Sequence, residues 1–410
     1  MRRPAPRSHD IAQGAGVSNS NAPLAGLKVV ELARILAGPW IGQVLADLGA
    51  DVIKVEAPQG DDTRRWGPPF VRNVDGSAGD AAYFHACNRG KRALVADFRD
   101  ADDLARLHAL IAQADVLVEN FKVGDLARYG LDYPSLKERN PRLVYCSVTG
   151  FGQDGPYAQR AGYDAMIQAM GGLMSLTGEA DGPPQKTGVA FADIFAGLHG
   201  VIAIQAALLQ RARSGRGQHI DIALLDSMVG VLANQAMNYL VSGQVPMRMG
   251  SAHPNIVPYQ PFATRDGELM LAVGNDAQFA RTCEVLGLAQ LASDPRYTSN
   301  ADRVRHRESL LPVLAEAFAQ TRRDEILATL ERIGVPAAPI NDVAQAFADP
   351  QLRHRGMQLR LDAPAVEGGT LPGVRTPIRF SEAELVLERA APRLGEHRIE
   401  DVLRDWGTGA

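Results

Sequence analysis

The sequence predicts an α/β protein, with a large domain built on a doubly wound parallel sheet and a second, smaller α+β domain. Three observations carry this. From Leu27 to Leu240, apolar runs of strand length alternate with segments of helical apolar spacing, the βαβ pattern that gives parallel strands. At Ser242 the composition changes, and the stretch to Pro261 is rich in Gly, Pro, Met and His with little periodicity. The chain has 410 residues, 46% hydrophobic and 22% charged, enough for two sizeable cores.

Taken in order, Leu27–Leu32 (LKVVEL) is an apolar strand, Ala33–Pro39 a turn, and Trp40–Leu48 a helix stopped by Gly49-Ala-Asp51. Val52–Val55 is the second strand and completes a βαβ unit. Arg92–Asp97 is a strand, and Ala101–Gln113 a helix with Leu104, Leu107, Leu110 and Ile111 on one face. Val116–Val118, Leu143–Val148 and Ile220–Ala223 are further strands. Tyr163–Leu176 and Leu224–Leu240 read as helices. Beyond the Gly/Pro-rich stretch lie a strand at Leu269–Val273, helical patterns over 277–286 and 305–333, a short helix at Val343–Ala348, short strands over 357–380 and a C-terminal helix over 396–406. The expected layout is a disordered tail over 1–23, the large domain over 24–228, a linker helix over 229–247, the small domain over 248–345, and a part over 346–410 that returns to the large domain.

Composition excludes several classes. A net charge of −4 argues against a nucleic-acid-binding surface. Cys87, Cys146 and Cys283 are odd in number, far apart and without metal-ligand spacing, which suits a reducing compartment with free thiols. The sequence contains no run of 18 apolar residues, so no membrane span is expected. Residues 1–23 lack the apolar centre of a secretory signal. We expect no metal and a cytoplasmic location, or the mitochondrial matrix if the source is eukaryotic. A dinucleotide site is the obvious ligand for a doubly wound, Rossmann-like sheet. Here the first turn reads Ile35-Leu-Ala-Gly38-Pro-Trp-Ile-Gly42. It lacks the G-x-G-x-x-G pattern and contains a proline, which argues against NAD.

Pieces that could carry chemistry stand at predicted strand ends, on one rim of the sheet: Ile35–Pro39, Glu56–Gly60, Asn120–Lys122 and Gly162–Asp164. Near them is Thr187-Gly-Val-Ala-Phe-Ala-Asp193, followed by a long apolar segment that ends in Arg211, Arg213 and Ser214-Gly-Arg-Gly217. Asp193 therefore stands where the chain turns into a buried helix. Capping is the commoner role for such an aspartate. The alternative is a carboxylate nucleophile, kept ionised by the helix N-terminus.

Several motifs together decide the wider reading: Leu24-Ala-Gly-Leu-Lys-Val-Val-Glu-Leu, Ala37-Gly-Pro, Gly49-Ala-Asp-Val-Ile-Lys-Val-Glu56, Gly60-Asp-Asp-Thr-Arg64, Asn88-Arg-Gly-Lys-Arg92, Val118-Glu-Asn-Phe121, Asn140-Pro-Arg142, Gly215-Arg-Gly-Gln218 and Leu394-Gly-Glu-His397. In this order the sequence, from about Leu24 to Leu403, resembles the class III CoA-transferases, the family of formyl-CoA transferase and the α-methylacyl-CoA racemases. The resemblance implies an interlocked homodimer, acyl-CoA as the CoA-carrying substrate, and Asp193 as the catalytic carboxylate that forms acyl-anhydride and CoA-thioester intermediates. It places CoA contacts on Leu36, Ala37, Ala57, Ala96, Asp97, Phe98, Arg99, Asn120, Phe121, Lys122, Arg128, Gly162, Tyr163 and Asp164. Leu36 and Ala57 depart from the glutamine and arginine of formyl-CoA transferase. The racemase branch pairs the aspartate with a histidine, which falls on Tyr163 here. A tyrosine with an ordinary pKa of about 10 is a poor base at neutral pH, which favours transfer over racemisation. A catalytically inactive acyl-CoA-binding protein is the alternative from another class.

Within the family the sequence is most similar to the succinyl-CoA:glutarate type of dicarboxylate CoA-transferase, on Gly60–Phe70, Gln159–Asp164, Gly172–Gly178 and Ala252–Gln260. The implied donor is succinyl-CoA and the implied acceptor a dicarboxylic acid such as glutarate. Arg64, Arg65, Arg160, His253 and Tyr259 are candidates to hold its distal carboxylate. The family places a Gly-rich loop near Gly250-Ser-Ala, whose N–H groups are candidates for an oxyanion hole.

Overall fold

A computed structural model describes residues 21–407; most of the expected N-terminal tail lies outside the described residues. Two compact units are present, one formed by residues up to Ala161 with Asp193–Ala223 and Met357 onward, the other by Gly162–Ala192 and Leu224–Gly356.

The first unit is built on six strands, β1 (Lys28–Glu31), β2 (Asp51–Glu56), β3 (Arg92–Val95), β4 (Val116–Glu119), β5 (Val144–Thr149) and β6 (His219–Ala223). All pair in parallel, in the order β3-β2-β1-β4-β5-β6. This is the doubly wound order, and its direction reverses between β1 and β4. The strands form because runs such as Val-Val, Val-Ile and Val-Leu-Val bury apolar side chains on both faces. Helix α1 (Ala37–Asp47) is buried along nearly its whole length. A Cβ on its Gly42 would overlap Glu31 Oε2, and one on Gly38 would overlap the Ala33 side chain, so both glycines permit close helix–strand packing. Helix α2 (Ala101–Ala112) is capped by Asp100, which accepts from the N–H groups of Asp102 and Asp103. It buries Leu107, Leu110 and Ile111, with Leu104 packed beside them. The C-terminal helix, Ile399–Gly407, places Val402 and Trp406 in this core, and Trp406 Nε1 donates to Asp51 at 2.8 Å. The chain from Met357 onward folds with the first unit.

The second unit has a three-stranded antiparallel sheet, Ala337–Pro339, Gly267–Ala272 and Tyr259–Thr264, packed with helices Asp276–Val285, Arg307–Ala319 and Arg323–Arg332. Its bounds correct the expected ones. Residues 162–192 fold with it, and it runs from Leu224 to Gly356. Helix α3 (Asp164–Met170) packs on helix Leu224–Gly230, where Gly171 lies against Met228. The long helix expected over 224–240 is two helices, broken at Ala233 with φ +49°. The expected 163–176 helix breaks at Gly172, whose φ of +87° suits glycine.

Beneath the carboxyl ends of β1 and β2 lies a cluster of buried charges. Lys54 Nζ meets Glu31 at 3.2 Å and Asp61 at 3.0 Å, and Lys91 Nζ meets Glu31 at 2.8 Å, with all these side chains essentially inaccessible. Burial works against the Lys54 charge, but Glu31, Asp61 and Glu56 outweigh it and raise its pKa. Removing one partner of such a cluster strands a buried charge. Lys54→Met is therefore expected to lower the unfolding free energy by about 3–5 kcal/mol in urea titration. A loss below about 1 kcal/mol would show that the cluster is not a structural element.

Candidate active site

Helix α4 (Phe191–Ser214) carries Asp193 in its first turn, with Arg211 and Arg213 in its last. Asp193 was expected at the turn into this helix, as its cap or as a nucleophile. The helix instead begins two residues earlier, and Asp193 is its third residue, half-buried. The position still favours the ionised carboxylate, because the first turn carries the positive end of the helix dipole. The N–H of the preceding residue, Ala192, donates to Asp164 Oδ1 at 2.9 Å. Asp164, expected among the CoA contacts, therefore also caps the start of this helix from a distant point in the sequence.

On the rim of the first unit the structure brings three of the four expected segments, 35–39, 56–60 and 120–122, together at the switch point between β1 and β4; the fourth, Gly162–Asp164, belongs instead to the second unit, with which its helix packs. Asn120 ties two of the three. It accepts from Arg34 N at 2.9 Å and donates to Arg34 O at 2.7 Å. The 33–39 turn is held at three points: Lys54 Nζ donates to Ala33 O and Lys91 Nζ to Pro39 O, each at 2.9 Å, and Asp61 accepts from Ile35 N at 3.2 Å. Ile35 has φ +73°, an uncommon conformation for a β-branched residue, sustained by these contacts. Burial pushes the Asp61 pKa up, but Lys54 and the Thr63 donors outweigh it and hold it below the usual carboxylate range. Leu36 and Ala37 stand at the N-terminus of α1, where they offer backbone N–H groups rather than polar side chains.

Phe98 packs against Phe121 and Tyr129, with centroids 6.0 and 5.6 Å apart. This joins the 96–99 and 120–122 segments to Arg128, whose guanidinium lies 4.8 Å from the Tyr129 ring centroid. Ala96 is buried and its N–H donates to Glu56 O. Asp97 and Arg99 pair with each other at 2.8 Å, and Lys122 is exposed. In the second unit, Gly162 and the largely exposed Tyr163 lead into α3.

The substrate candidates fare unevenly. Arg64 is buried, and its guanidinium donates to Glu56 through Nε at 2.8 Å and Nη2 at 2.6 Å, to Asp80 at 2.6 Å and to Pro392 O at 3.2 Å. Its donors are committed, which removes it as a substrate anchor and makes it a strut of the rim. Arg65 and Arg160 are exposed; Arg65 contacts Gln59 O and Asp62, and Arg160 stacks on Tyr157. His253 and Tyr259 stack on each other at 5.2 Å, the arrangement of a packed loop. The Gly250 N–H donates to Gly178 O at 3.0 Å and that of Ala252 to Met249 O, so neither is an oxyanion donor in this arrangement. The three cysteines are buried, and burial pushes the Cys87 thiol up to about 12 and Cys283 up to about 11, far from thiolate chemistry. Among the described residues no group of three or more His, Cys, Asp or Glu side chains could hold a metal ion.

The family model for CoA-transferase family III matches residues 24–398. The chain belongs to CoA-transferase family III. It is 55% identical over 383 residues to the succinate–glutarate CoA-transferase of Agrobacterium fabrum, covering 93% of this chain and 95% of that one. It is 41% identical over 390 residues to the succinyl-CoA:glutarate CoA-transferase of Homo sapiens, covering 94% and 87%. The crystal structure of a CAIB/BAIF family protein from Brucella suis matches with a TM-score of 0.83 at 60% identity, covering 94% of this chain and all of that one.

Two residues of this family III chain that sequence reasoning missed support the expected site. Gln168 is described below. Glu119, at the end of β4, is buried and accepts from Phe121 N at 2.8 Å. Burial pushes its carboxyl up to about 7, while hydrogen bonds from Ser147 and Phe121 pull the other way. Its folded pKa lies above the usual value, so its contribution to stability is full below the ordinary carboxylate pKa and is lost as pH rises through about 7. Glu119→Gln should therefore raise the melting temperature relative to wild type at about pH 8, by an amount equivalent to roughly 1–3 kcal/mol, and leave it nearly unchanged at about pH 5. An equal effect at both pH values would contradict the shift.

Proposed function

We propose that this family III enzyme transfers CoA from succinyl-CoA to glutarate or a closely related dicarboxylate, with Asp193 as nucleophile. The observation that carries the reading is a single carboxylate in the first turn of a long helix, on a chain whose relatives over nearly its whole length are named for succinate, glutarate and CoA. The Asp193 carboxylate attacks the succinyl-CoA carbonyl and expels CoA thiolate, giving a mixed anhydride. The thiolate then attacks the aspartyl carbonyl, releasing succinate and leaving an aspartyl-CoA thioester. Glutarate attacks that thioester, and the freed thiolate takes the glutaryl group as glutaryl-CoA, returning Asp193 as a carboxylate. Every bond formed replaces one of similar energy, so the exchange needs no other activating reagent.

CoA is read as bound along the rim of the first unit. Support comes from N–H groups at the start of α1 for phosphate oxygens, the Phe98–Phe121–Tyr129 cluster as an apolar and aromatic surface, and the positive charges of Lys122 and Arg128. Arg65 and Arg160 remain the candidates for the distal carboxylate. The reading includes a homodimer of interlocked chains. It is supported by large apolar side chains left exposed on α4 (Leu198, Ile202, Leu209) and on helix Asn234–Ser242 (Met237, Leu240, Val241), more than a single chain normally leaves in water. Helix α4 is also long and apolar enough to cross a membrane. Gly197 against Trp40 and Gly200 against Ile41 give it the close-packed face of a soluble core helix.

Asp193→Asn tests the nucleophile, since it conserves shape while removing the carboxylate. Glutaryl-CoA formation from succinyl-CoA and glutarate, followed chromatographically, should fall by on the order of 10³ or more while the melting temperature stays near wild type. Retained turnover in the folded variant would refute the assignment. In sedimentation at micromolar concentration the protein should behave as a dimer, and a folded, active monomer would contradict the interlocked reading.

A further inference from the structure

The segment that delivers Asp193 to its helix is held by one side chain that no sequence motif singled out. Gln168 lies in α3 and is fully buried. Its Nε2 donates to Asp164 Oδ2 at 2.7 Å, one helical turn back. Its Oε1 accepts from Thr187 N at 3.0 Å, with Thr187 Oγ1 3.2 Å away. Nε2 also faces Val189 O at 3.4 Å, and that carbonyl accepts from Thr187 Oγ1 at 2.7 Å. The other oxygen of Asp164 accepts from the N–H of Ala192. One carboxamide thus bridges two points. It pins the start of the 187–192 segment directly and orients the carboxylate that caps its end. Asp193 is the next residue.

A buried carboxamide with its donor and acceptor both used is costly to disturb. Its two ends also need different chemistry: a donor toward the Asp164 carboxylate and an acceptor toward the Thr187 N–H. Glutamine supplies both at any pH. Glutamate supplies both only when protonated. An apolar side chain supplies neither, leaving the Thr187 N–H and the Asp164 oxygen to find other partners.

We infer that Gln168 is a positioning residue for the transfer reaction: through Asp164 and Thr187 it fixes the backbone that presents the Asp193 carboxylate to the thioester. The inference rests on the reading of Asp193 as nucleophile. It assigns Gln168 no contact with substrate, so its loss should act on the formation of the covalent intermediate and leave acyl-CoA binding in place. A misplacement of about 1 Å in a reacting group costs roughly 10²-fold in rate.

The test is trapping of the aspartyl-CoA thioester with hydroxylamine, which yields the Asp193 hydroxamate and free CoA, quantified by peptide mass spectrometry after mixing with succinyl-CoA. Wild type, Gln168→Leu and Gln168→Glu are compared, with kcat and KM measured in parallel. Gln168→Leu should form the hydroxamate about 10²-fold more slowly, with KM for succinyl-CoA changed less than about threefold. Gln168→Glu supplies the decisive pH profile. The charged groups around the site are Asp164 on the same helix, Lys186, whose Nζ donates to Thr187 O at 3.2 Å, Asp226 on the helix packed against α3, and Asp193 itself. The carboxylate at 2.7 Å dominates, so the introduced carboxyl should hold a shared proton at moderately low pH and lose it as pH rises. Its hydroxamate rate should be within about fivefold of wild type near pH 6 and fall by roughly 10² toward pH 8.5, an ionisation absent from the wild-type profile. If Gln168→Leu fails to fold, the Gln168→Glu profile alone decides. Wild-type protein that forms no Asp193 hydroxamate would refute the nucleophile reading. Wild-type protein that forms it, beside folded variants that match it at every pH, would overturn the role of Gln168 alone.

Discussion

The rim of the first unit depends on charges buried beneath it. Two ammonium groups and two carboxylates, Lys54, Lys91, Glu31 and Asp61, are taken out of water at the carboxyl ends of β1 and β2. In such a place charges persist only with near-complete compensation. The compensation is supplied by the turn above them, whose Ala33 and Pro39 carbonyls accept from the lysines and whose Ile35 N–H donates to Asp61. The turn fixes the charges and the charges fix the turn. This explains how a β-branched residue stays in a left-handed conformation and why Gly42 of α1 has no room for a side chain. Glu56, Arg64 and Asp80 extend the same logic outward along the rim.

The second constraint acts on Asp193, the proposed nucleophile. A carboxylate that must attack a carbonyl has to be ionised and aimed. Ionisation is favoured by the first turn of α4. The proposed aim comes from the backbone just before it, where part-buried hydrogen bonds among Asp164, Gln168, Thr187 and Ala192 fix the segment. The rim and the segment leading into Asp193 are thus each held by polar networks, the preorganisation that the proposed catalysis would use.

Much of this was legible in the sequence, for identifiable reasons. The parallel strands announced themselves because they are buried on both faces and read as continuous apolar runs. Helix α2 was legible because Leu104, Leu107, Leu110 and Ile111 recur at helical spacing. The breaks at Gly172 and Ala233 were not, since apolar spacing continues across both. The grouping of residues 162–192 with the second unit depends on packing between α3 and helix Leu224–Gly230, distant in sequence. Arg64 looked like a carboxylate anchor because its residue type suits that role; only the fold shows Glu56 and Asp80 already occupying it. The spacing of four between Asp164 and Gln168 is the one signal that was available, and on a helix it looks the same as an ordinary surface pair.

Oxygen transfer tests most directly the covalent bond proposed at Asp193. When glutarate labelled with heavy oxygen in both carboxylates attacks the aspartyl-CoA thioester, one labelled oxygen bridges the anhydride. Attack of CoA thiolate on the glutaryl carbonyl leaves that oxygen on the enzyme. Peptide mass spectrometry after turnover with succinyl-CoA should find label in Asp193, and in later turnovers one labelled oxygen in the succinate released. An unlabelled Asp193 after many turnovers, with glutaryl-CoA formed, would contradict the account.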